Sequence, residues 1–237
     1  MALSTLLAAA GAAAQASSSC HAVSPAQAAV LIELYTSEGC NSCPPADRWL
    51  SSLRTDGVQL VAAAFHVDYW DRLGWKDRFA DPSHSARQAA QQVRSGARFV
   101  YTPQVLVNGR DARPGVSLPH PAKTAAVRIE MQRESDERVR VRVEAGPGAP
   151  SKLALWWAVL EDRHASEIKA GENRGVTLEH DHVVRRYREV PTWSAGLPRT
   201  DVLDAPRRGE GGRRTGTLVV VTDASDGAPL QALLLGC

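Results

Sequence analysis

The sequence predicts an α/β domain followed by a β-rich unit. In the first half of the chain, short apolar runs alternate with segments whose apolar residues recur at helical spacing, which indicates alternating strands and helices. In the second half, apolar residues recur at every second position between turn residues, which indicates antiparallel strands. A Cys-x-x-Cys motif, Cys40 and Cys43, lies between the first predicted strand and the first predicted helix.

The composition excludes several classes of protein. Apolar residues make up 43% and charged residues 23% of the 237 residues, which is ordinary for a globular protein and argues against disorder. The formal charge of +2 gives no reason to expect nucleic acid as a partner. The sequence contains no run of about 20 apolar residues, so no membrane span is expected.

Residues 1–19 are predicted to be a signal peptide. They contain a short alanine-rich apolar run, and Ala14-Gln15-Ala16 has the small-x-small form of a signal-peptidase site. The run is too short to cross a bilayer. An alanine-rich tail without a targeting role is the alternative. Export would place the protein in the periplasm or outside a bacterial cell.

The four cysteines suggest two disulfides. An exported protein meets an oxidising environment, where an even number of cysteines favours pairing. Cys40 and Cys43 are natural partners, which leaves Cys20 and Cys237 to form a structural disulfide between the ends of the mature chain. Free thiols at these two positions, or a lipid anchor on Cys20, are the alternatives.

Local patterns predict each element of the first domain. Residues 30–35 form a β-branched apolar run followed by polar turn residues, as expected of a buried strand. Pro44 and Pro45 can open a helix, because the first helical turn tolerates proline, and Gly57 ends that segment. The further predicted elements are a strand over residues 58–67, a helix over 84–98 and a strand over 104–107.

The second half has the pattern of a β-sandwich-like unit. Residues 127–131 and 139–143 alternate apolar with charged side chains, as paired strands with one solvated face do. Further strands are predicted over residues 153–160, 178–190, 218–222 and 230–235. The change of pattern places a boundary near residue 120, which divides the mature chain into domains of residues 20–120 and 121–237.

The Cys-x-x-Cys motif at a predicted helix start is the strongest indication of chemistry. The helix dipole and free amide groups favour a thiolate at Cys40, which could attack a substrate disulfide. Cys43 could then resolve the mixed disulfide. A structural disulfide is one alternative. Half of a zinc site is another, although no second cysteine pair has the usual spacing.

Neighbouring residues moderate the expected reactivity of this thiol. Pro44 and Pro45 remove two amide donors from the helix start, and Glu38 and Asp47 place negative charge nearby. Arg48 acts in the opposite direction. We therefore expect a moderately acidic thiol.

Several motifs resemble the thioredoxin superfamily, in which a cis-proline before the third strand faces the dithiol. Thr102-Pro103 occupies that place in the chain order. Further stretches extend this resemblance to a bacterial family of secreted thioredoxin-like proteins, which is catalogued as a domain of unknown function. They are residues 33–47, 66–71, 101–104, 107–109, 171–173 and 180–185. The resemblance implies an exported α/β thioredoxin-like domain, here with an additional C-terminal β-sandwich-like unit. It also assigns catalytic roles to Cys40, Cys43 and Pro103, and predicts that Pro103 follows a cis bond.

Five further residues are candidates for supporting roles. Glu33 lies on the strand that leads to the dithiol and could accept a proton from the resolving cysteine, or could point elsewhere. Thr102 precedes the predicted cis-proline. His66 and Asp68 share one face at the end of a predicted strand. Trp70 could line a substrate groove or pack beneath a long loop.

These features predict an exported thiol–disulfide oxidoreductase-like protein that acts on protein or peptide thiols and works with a redox partner protein. No cofactor or resident metal is expected. The alternative is a non-enzymatic binding protein, in which the motif and His66 or another histidine hold Cu(I), or in which the motif is a structural disulfide beside a partner-binding surface. His180 and His182 share a strand face and are expected to be solvated. The substrate and the direction of exchange are not predicted.

Overall fold

An eight-stranded mixed sheet forms the centre of the fold in the computed structural model, which describes residues 20–54, 59–121 and 123–237. The strands are β1 (His21–Val23), β2 (Val30–Thr36), β3 (Leu60–His66), β4 (Gln104–Val107), β5 (Arg110–Ala112), β6 (Val127–Arg133), β7 (Arg138–Ala145), β8 (Lys152–Glu161), β9 (His164–Glu167), β10 (Thr177–His180), β11 (Val183–Ser194), β12 (Arg199–Asp204), β13 (Thr215–Asp223) and β14 (Pro229–Leu235). The helices are α1 (Pro44–Ser52) and α2 (Pro82–Ser95). The predicted signal peptide lies outside the described residues.

The large sheet has the strand order β14-β13-β8-β11-β3-β2-β4-β5. Strand β3 runs parallel to both of its neighbours, β2 and β11, and the other neighbouring strands are antiparallel. A second sheet has the order β1-β6-β7-β12, and β9 pairs with β10 in a two-stranded sheet. The junction between β3 and β11 has a single registered pair, Ala64 with Val183.

Apolar side chains cover both faces of the large sheet. On one face, below α2, lies a cluster that contains Leu31, Tyr35, Phe65, Trp156 and Tyr187. On the opposite face, α1 covers the end of the sheet formed by β2 and β3, where Ala46 and Leu50 pack on the strands. The four-stranded sheet covers the other end of that face, over β8, β13 and β14. The core is therefore continuous across the two halves of the sequence.

The predicted fold class is wrong. The protein is mostly β-structure with two α-helices among its described residues, not an α/β thioredoxin-like domain carrying a separate β-sandwich-like unit. Strands from both sides of residue 120 share the large sheet. The reason is visible in β13, where residues 218–221 are all apolar and fully buried. Such a strand must be covered on both faces, which a place inside the large sheet provides.

The local elements were predicted more successfully. Strand β2 includes the predicted run over residues 30–35, and α2 begins two residues before the predicted start and ends three residues before the predicted end of the helix over residues 84–98. The predicted strand over residues 178–190 is instead two strands, β10 and β11, separated by a turn in which His182 has a positive φ of 57°. Neither described helix has the length and apolar character needed to cross a bilayer.

A disulfide between Cys20 and Cys237 connects the four-stranded sheet to the large sheet, as the cysteine count predicted. Cys20 precedes β1 in the four-stranded sheet, and Cys237 follows β14 at the edge of the eight-stranded sheet. Arg133 supports the bridge from both sides, since its backbone amide donates to the Cys20 carbonyl at 2.9 Å and its Nε donates to the Cys237 carbonyl at 2.9 Å.

Candidate redox site

Cys40 and Cys43 form a disulfide where the chain passes from β2 into α1. Every residue of β2 is buried, so this strand leads the motif to the end of the sheet through the protein interior. Cys43 is the N-cap residue of α1, and Pro44 and Pro45 occupy the first helical positions. Both cysteines have 0% of their surface exposed, so the disulfide is covered in this state.

A turn from the second half of the chain holds the loop that carries the disulfide. The side-chain amide of Asn173 donates to the carbonyl oxygens of Glu38 at 2.8 Å and Cys40 at 3.0 Å. Next to it, a carboxylate oxygen of Glu172 accepts a hydrogen bond from the backbone amide of Asn41 at 3.3 Å. Asn173 is buried, whereas Glu172 and Asn41 are exposed.

Trp70 connects the disulfide loop to the loop that contains Pro103. Its Nε1 donates to Thr102 Oγ1 at 2.8 Å, and its Cβ lies so close to Gly39 that a side chain at that glycine would approach it to 3.2 Å. The Thr102–Pro103 peptide bond is cis, as predicted. These contacts link Thr102 and Pro103 to the disulfide through a single tryptophan.

Five ionisable side chains are buried beside the disulfide loop: Glu38, Asp47, His66, Asp77 and His180. In this buried charge cluster, Asp77 Oδ2 lies 2.7 Å from His66 Nδ1 and accepts the backbone amide of Glu38 at 2.9 Å. Glu38 Oε1 lies 3.5 Å from His180 Nε2, and the rings of His66 and His180 are 4.9 Å apart. The cluster therefore contacts the loop only two residues before Cys40.

Burial and charge pairing act in opposite directions on these groups. Burial opposes ionisation of Asp77, but the His66 charge and hydrogen bonds from His66 and two backbone amides hold the pKa of Asp77 below its usual value. Burial opposes protonation of His66, but the carboxylates of Asp77, Asp47 and Glu38 hold the pKa of His66 above its usual value. Burial is the main effect at Asp47, and it raises the pKa of that carboxyl group.

We expect the His66–Asp77 pair to stabilise the fold most at mildly acidic pH. A raised histidine pKa stabilises the folded state below the unfolded pKa of about 6.5, and this contribution is lost as the pH rises through the folded pKa. A lowered aspartate pKa stabilises it above about pH 4 and is lost as the pH falls further. Urea unfolding at pH 5 and pH 8 should therefore show Asp77→Asn costing more at pH 5. An equal or larger cost at pH 8 would contradict the pairing.

The structure brings some of the predicted site residues together and separates others. Trp70, Thr102 and Pro103 are linked to the disulfide loop, and His66 belongs to the buried charge cluster. Glu33 alternates with the strand residues that face α1, so it lies on the α2 side of the sheet, in an ion pair with Arg87. Asp68 Oδ1 accepts the hydroxyl of Ser85 and does not join the site.

Sequence reasoning missed the residues that complete the site. His180 was expected to be solvated but is buried, because the β9–β10 hairpin packs over α1. Asp77 lies in an irregular segment where no periodicity indicates burial. Asn173 stood out in the sequence only as part of residues 171–173, a stretch that resembles the family, and that resemblance assigns no role to its side chain.

A separate ionic cluster lies beside the β8–β9 turn. Glu161, His164 and Glu210 are the one group of three potential metal ligands among the described residues whose ligand atoms lie within 4.8 Å of one another. Arg78 and Arg185 already pair with Glu210, at 2.8 and 3.2 Å. The group contains neither of the two motif cysteines, which the Cu(I) hypothesis requires together with His66 or another histidine.

Comparison with solved structures finds two similar proteins. A protein from Agrobacterium tumefaciens is 26% identical, with a TM-score of 0.64 over 88% of this chain and 95% of that one. HBP35 of Porphyromonas gingivalis is 14% identical, with a TM-score of 0.57 over 90% of this chain and 76% of that one, which shows similarity of fold alone. No curated protein sequence matches this chain.

The comparison with protein families covers most of the chain. A family described as a protein of unknown function, DUF1223, matches residues 31–222. The matched region includes the Cys-x-x-Cys motif, the cis-proline and the Asn173 turn, and it confirms the predicted membership in a domain of unknown function. The chain therefore belongs to the DUF1223 family.

Proposed function

We propose that this protein is a thiol–disulfide oxidoreductase-like protein of the periplasm or cell exterior, and that Cys40 and Cys43 exchange a disulfide with protein or peptide thiols. The observation that carries the proposal is a buried disulfide at a helix start, beside buried ionisable groups that each keep at least one polar atom without a hydrogen bond. Atoms without a hydrogen-bond partner include Asp47 Oδ2, His66 Nε2 and both ring nitrogens of His180. Such groups reduce stability and are concentrated at functional sites.

The position of the disulfide also argues against a purely structural role. Its cysteines are separated by only 3 positions, so the loop that it closes is among the shortest available. In the chain-entropy model, stabilisation increases with loop length. The Cys20–Cys237 bridge, with a separation of 217, serves the structural purpose far better. A purely structural disulfide at Cys40–Cys43 would add little stability, and it lies beside buried polar atoms that have no hydrogen-bond partner.

The proposed exchange proceeds through a mixed disulfide. In the reduced protein, the Cys40 thiolate attacks one sulfur of a substrate disulfide, forms a Cys40–substrate disulfide and releases the other substrate sulfur as a thiolate. The Cys43 thiolate then attacks Cys40 Sγ, which restores the Cys40–Cys43 disulfide and releases the second substrate thiolate. Two electrons pass to the substrate. The reverse sequence oxidises a substrate dithiol, and a redox partner protein resets the motif in either direction.

Local structure supports the assignment of the two sulfurs. Cys40 lies in the loop before α1, where the Ser42 hydroxyl is 3.4 Å from its sulfur. Cys43 caps the helix, and its carbonyl accepts the backbone amides of Ala46 and Asp47 at 2.8 and 3.1 Å. The helix fixes the position of Cys43, whereas Cys40 lies in the loop outside the helix. Cys40 is therefore assigned the attacking role.

Replacing Cys43 should trap the intermediate. A Cys43→Ser variant lacks the resolving thiol, so exported proteins should accumulate as mixed disulfides on Cys40 and be released by a reducing agent. The measurement is non-reducing gel electrophoresis and mass spectrometry of the purified variant. Cys40→Ser is the matched control and should trap far less, because Cys43 is held in the helix cap. If Cys43→Ser forms no adduct with any exported protein, the proposed function is wrong.

A further inference from the structure

The Cys40–Cys43 disulfide is buried, which limits how a partner can reach Cys40. Thiol–disulfide exchange requires the attacking sulfur to reach the attacked sulfur directly. Neither Cys40 nor Cys43 has exposed surface, although the two residues between them, Asn41 and Ser42, are exposed. Some part of the protein must therefore move before a partner sulfur reaches Cys40.

The contacts of residues 171–174, which we name the cover turn, identify that part. Asn173 makes two hydrogen bonds to the disulfide loop, and Glu172 makes one. Gly171 seats the turn on the Trp75 segment, because its φ is +72° and a Cβ at this position would lie only 3.1 Å from the Cβ of Trp75. The turn, which comes from the second half of the chain, thus bridges two neighbouring loops of the first half.

The three hydrogen bonds differ in how easily a partner could replace them. The bond from Asn41 to Glu172 is long, at 3.3 Å, and lies at the exposed surface. The two bonds from Asn173 are shorter and buried, and they use both hydrogens of its side-chain amide. Opening the turn without compensation therefore leaves the Glu38 and Cys40 carbonyl oxygens without the Asn173 donor.

We infer that Asn173 is a specificity-determining residue for the proposed exchange, because it holds the cover turn over Cys40 and so selects polypeptide thiols against small thiols. An extended polypeptide can offer backbone amides to the Glu38 and Cys40 carbonyl oxygens in place of Asn173, and a backbone carbonyl to the Asn41 amide in place of Glu172, while its cysteine approaches Cys40. A small thiol has no peptide backbone with which to replace these bonds and must wait for the turn to open. The inference rests on the proposed exchange reaction at Cys40.

The test compares two reductants on the oxidised full-length protein. One is dithiothreitol, and the other is a reduced, unfolded polypeptide that contains two cysteines. The released thiols are alkylated over time, and mass spectrometry reports the Cys40–Cys43 and Cys20–Cys237 disulfides separately. The variants are Asn173→Ala and, as a control in the same turn, Arg174→Ala, whose side chain is exposed.

Asn173→Ala should accelerate reduction of Cys40–Cys43 by dithiothreitol at least about tenfold, because two hydrogen bonds no longer hold the turn closed. The polypeptide should gain less, so its rate advantage over dithiothreitol should shrink. Arg174→Ala should leave both rates unchanged. Asn173→Asp keeps the side-chain shape but loses the donor, so it should accelerate the reaction in the same way. It takes the place of Asn173→Ala in the test if Asn173→Ala folds poorly.

Two results would overturn the inference. One is an unchanged ratio of the two rates in both Asn173 variants. The other is parallel acceleration at Cys20–Cys237, which would mean that the substitutions loosen the whole protein. The reaction with dithiothreitol needs no natural partner, so access can be judged even where Cys43→Ser traps no exported protein. Absence of trapping would reject the exchange function, whereas an unchanged rate ratio would reject the selectivity of Asn173.

Discussion

Replacing both Cys20 and Cys237 with serine should lower the free energy of unfolding by about 5 kcal/mol. The two cysteines are separated by 217 positions, so their bond restricts the whole chain from residue 20 to residue 237 in the unfolded state. The loss of entropy from such a loop destabilises the unfolded state far more than a short loop does. Urea unfolding of the oxidised proteins, followed by tryptophan fluorescence, gives the difference.

The Cys40→Ser/Cys43→Ser double variant is the matched control for this experiment. It also removes one disulfide and two sulfurs, but the separation of its cysteines is only 3. The same model gives a cost of about 1–2 kcal/mol for so short a loop. Equal losses in the two double variants would show that loop closure is not the source of the stability. Both variants avoid the unpaired cysteine that a single substitution would leave.

Arg87→Ala should lower the free energy of unfolding by about 3–5 kcal/mol, because it leaves the carboxylate of Glu33 buried without its partner. The two side chains form an ion pair in which they are only 5% and 1% exposed. Aromatic rings surround the guanidinium group, with centroids at 4.6 Å in Trp156, 5.1 Å in Phe65 and 5.2 Å in Tyr187. Truncation therefore removes packing as well as charge.

A double-mutant cycle separates the charge effect from the packing effect. Arg87→Met keeps much of the side-chain volume, and combining it with Glu33→Gln removes both charges together. We expect this pair to be less destabilised than Arg87→Ala alone, because no uncompensated ion is left in the core. Arg94→Ala, an exposed position on the same helix, should change stability by less than about 0.5 kcal/mol. The single variants Arg87→Met and Glu33→Gln complete the cycle, and a double variant as unstable as Arg87→Met alone would show that the unpaired Glu33 carboxylate does not cause the loss.

Local chemistry made several parts of the structure predictable from the sequence. The Pro82–Ser95 helix begins after Asp81, whose side chain accepts the Ser83 amide at 2.8 Å, and it ends at Gly96, which has a positive φ of 84°. Both are signals that the chain carries locally. The two disulfide pairings followed from the number and the spacing of the cysteines, and both bonds are present in the structure.

The assembly of the large sheet could not be predicted in this way. The two halves of the sheet meet where β3 lies beside β11, and that junction is a single registered pair, Ala64 with Val183. Nothing in either local sequence specifies the partner. The apolar runs of β8 and β13 were assigned to a separate unit, because an apolar strand has the same pattern in any buried sheet.

Some residues of the candidate site could likewise be predicted from the sequence, and others could not. Cys40, Cys43 and Pro103 could be named as candidates from the sequence, because a short motif and the order along the chain identify them. Glu33 was a plausible proton acceptor until the strand register placed it on the opposite face. The buried charge cluster and Asn173 depend on loops brought together from distant parts of the chain, with a separation of 133 positions between Asn173 and Cys40.

That separation has a consequence for biosynthesis. A chain that emerges from its amino terminus presents Cys20, Cys40 and Cys43 together, long before residues 171–174 exist to cover the motif. The native partner of Cys20 arrives later still, 217 positions downstream. During this interval, three thiols that end in different bonds share one unfolded segment. Correct pairing of Cys20 in the newly made protein therefore depends on the carboxyl-terminal end of the chain, which supplies Cys237.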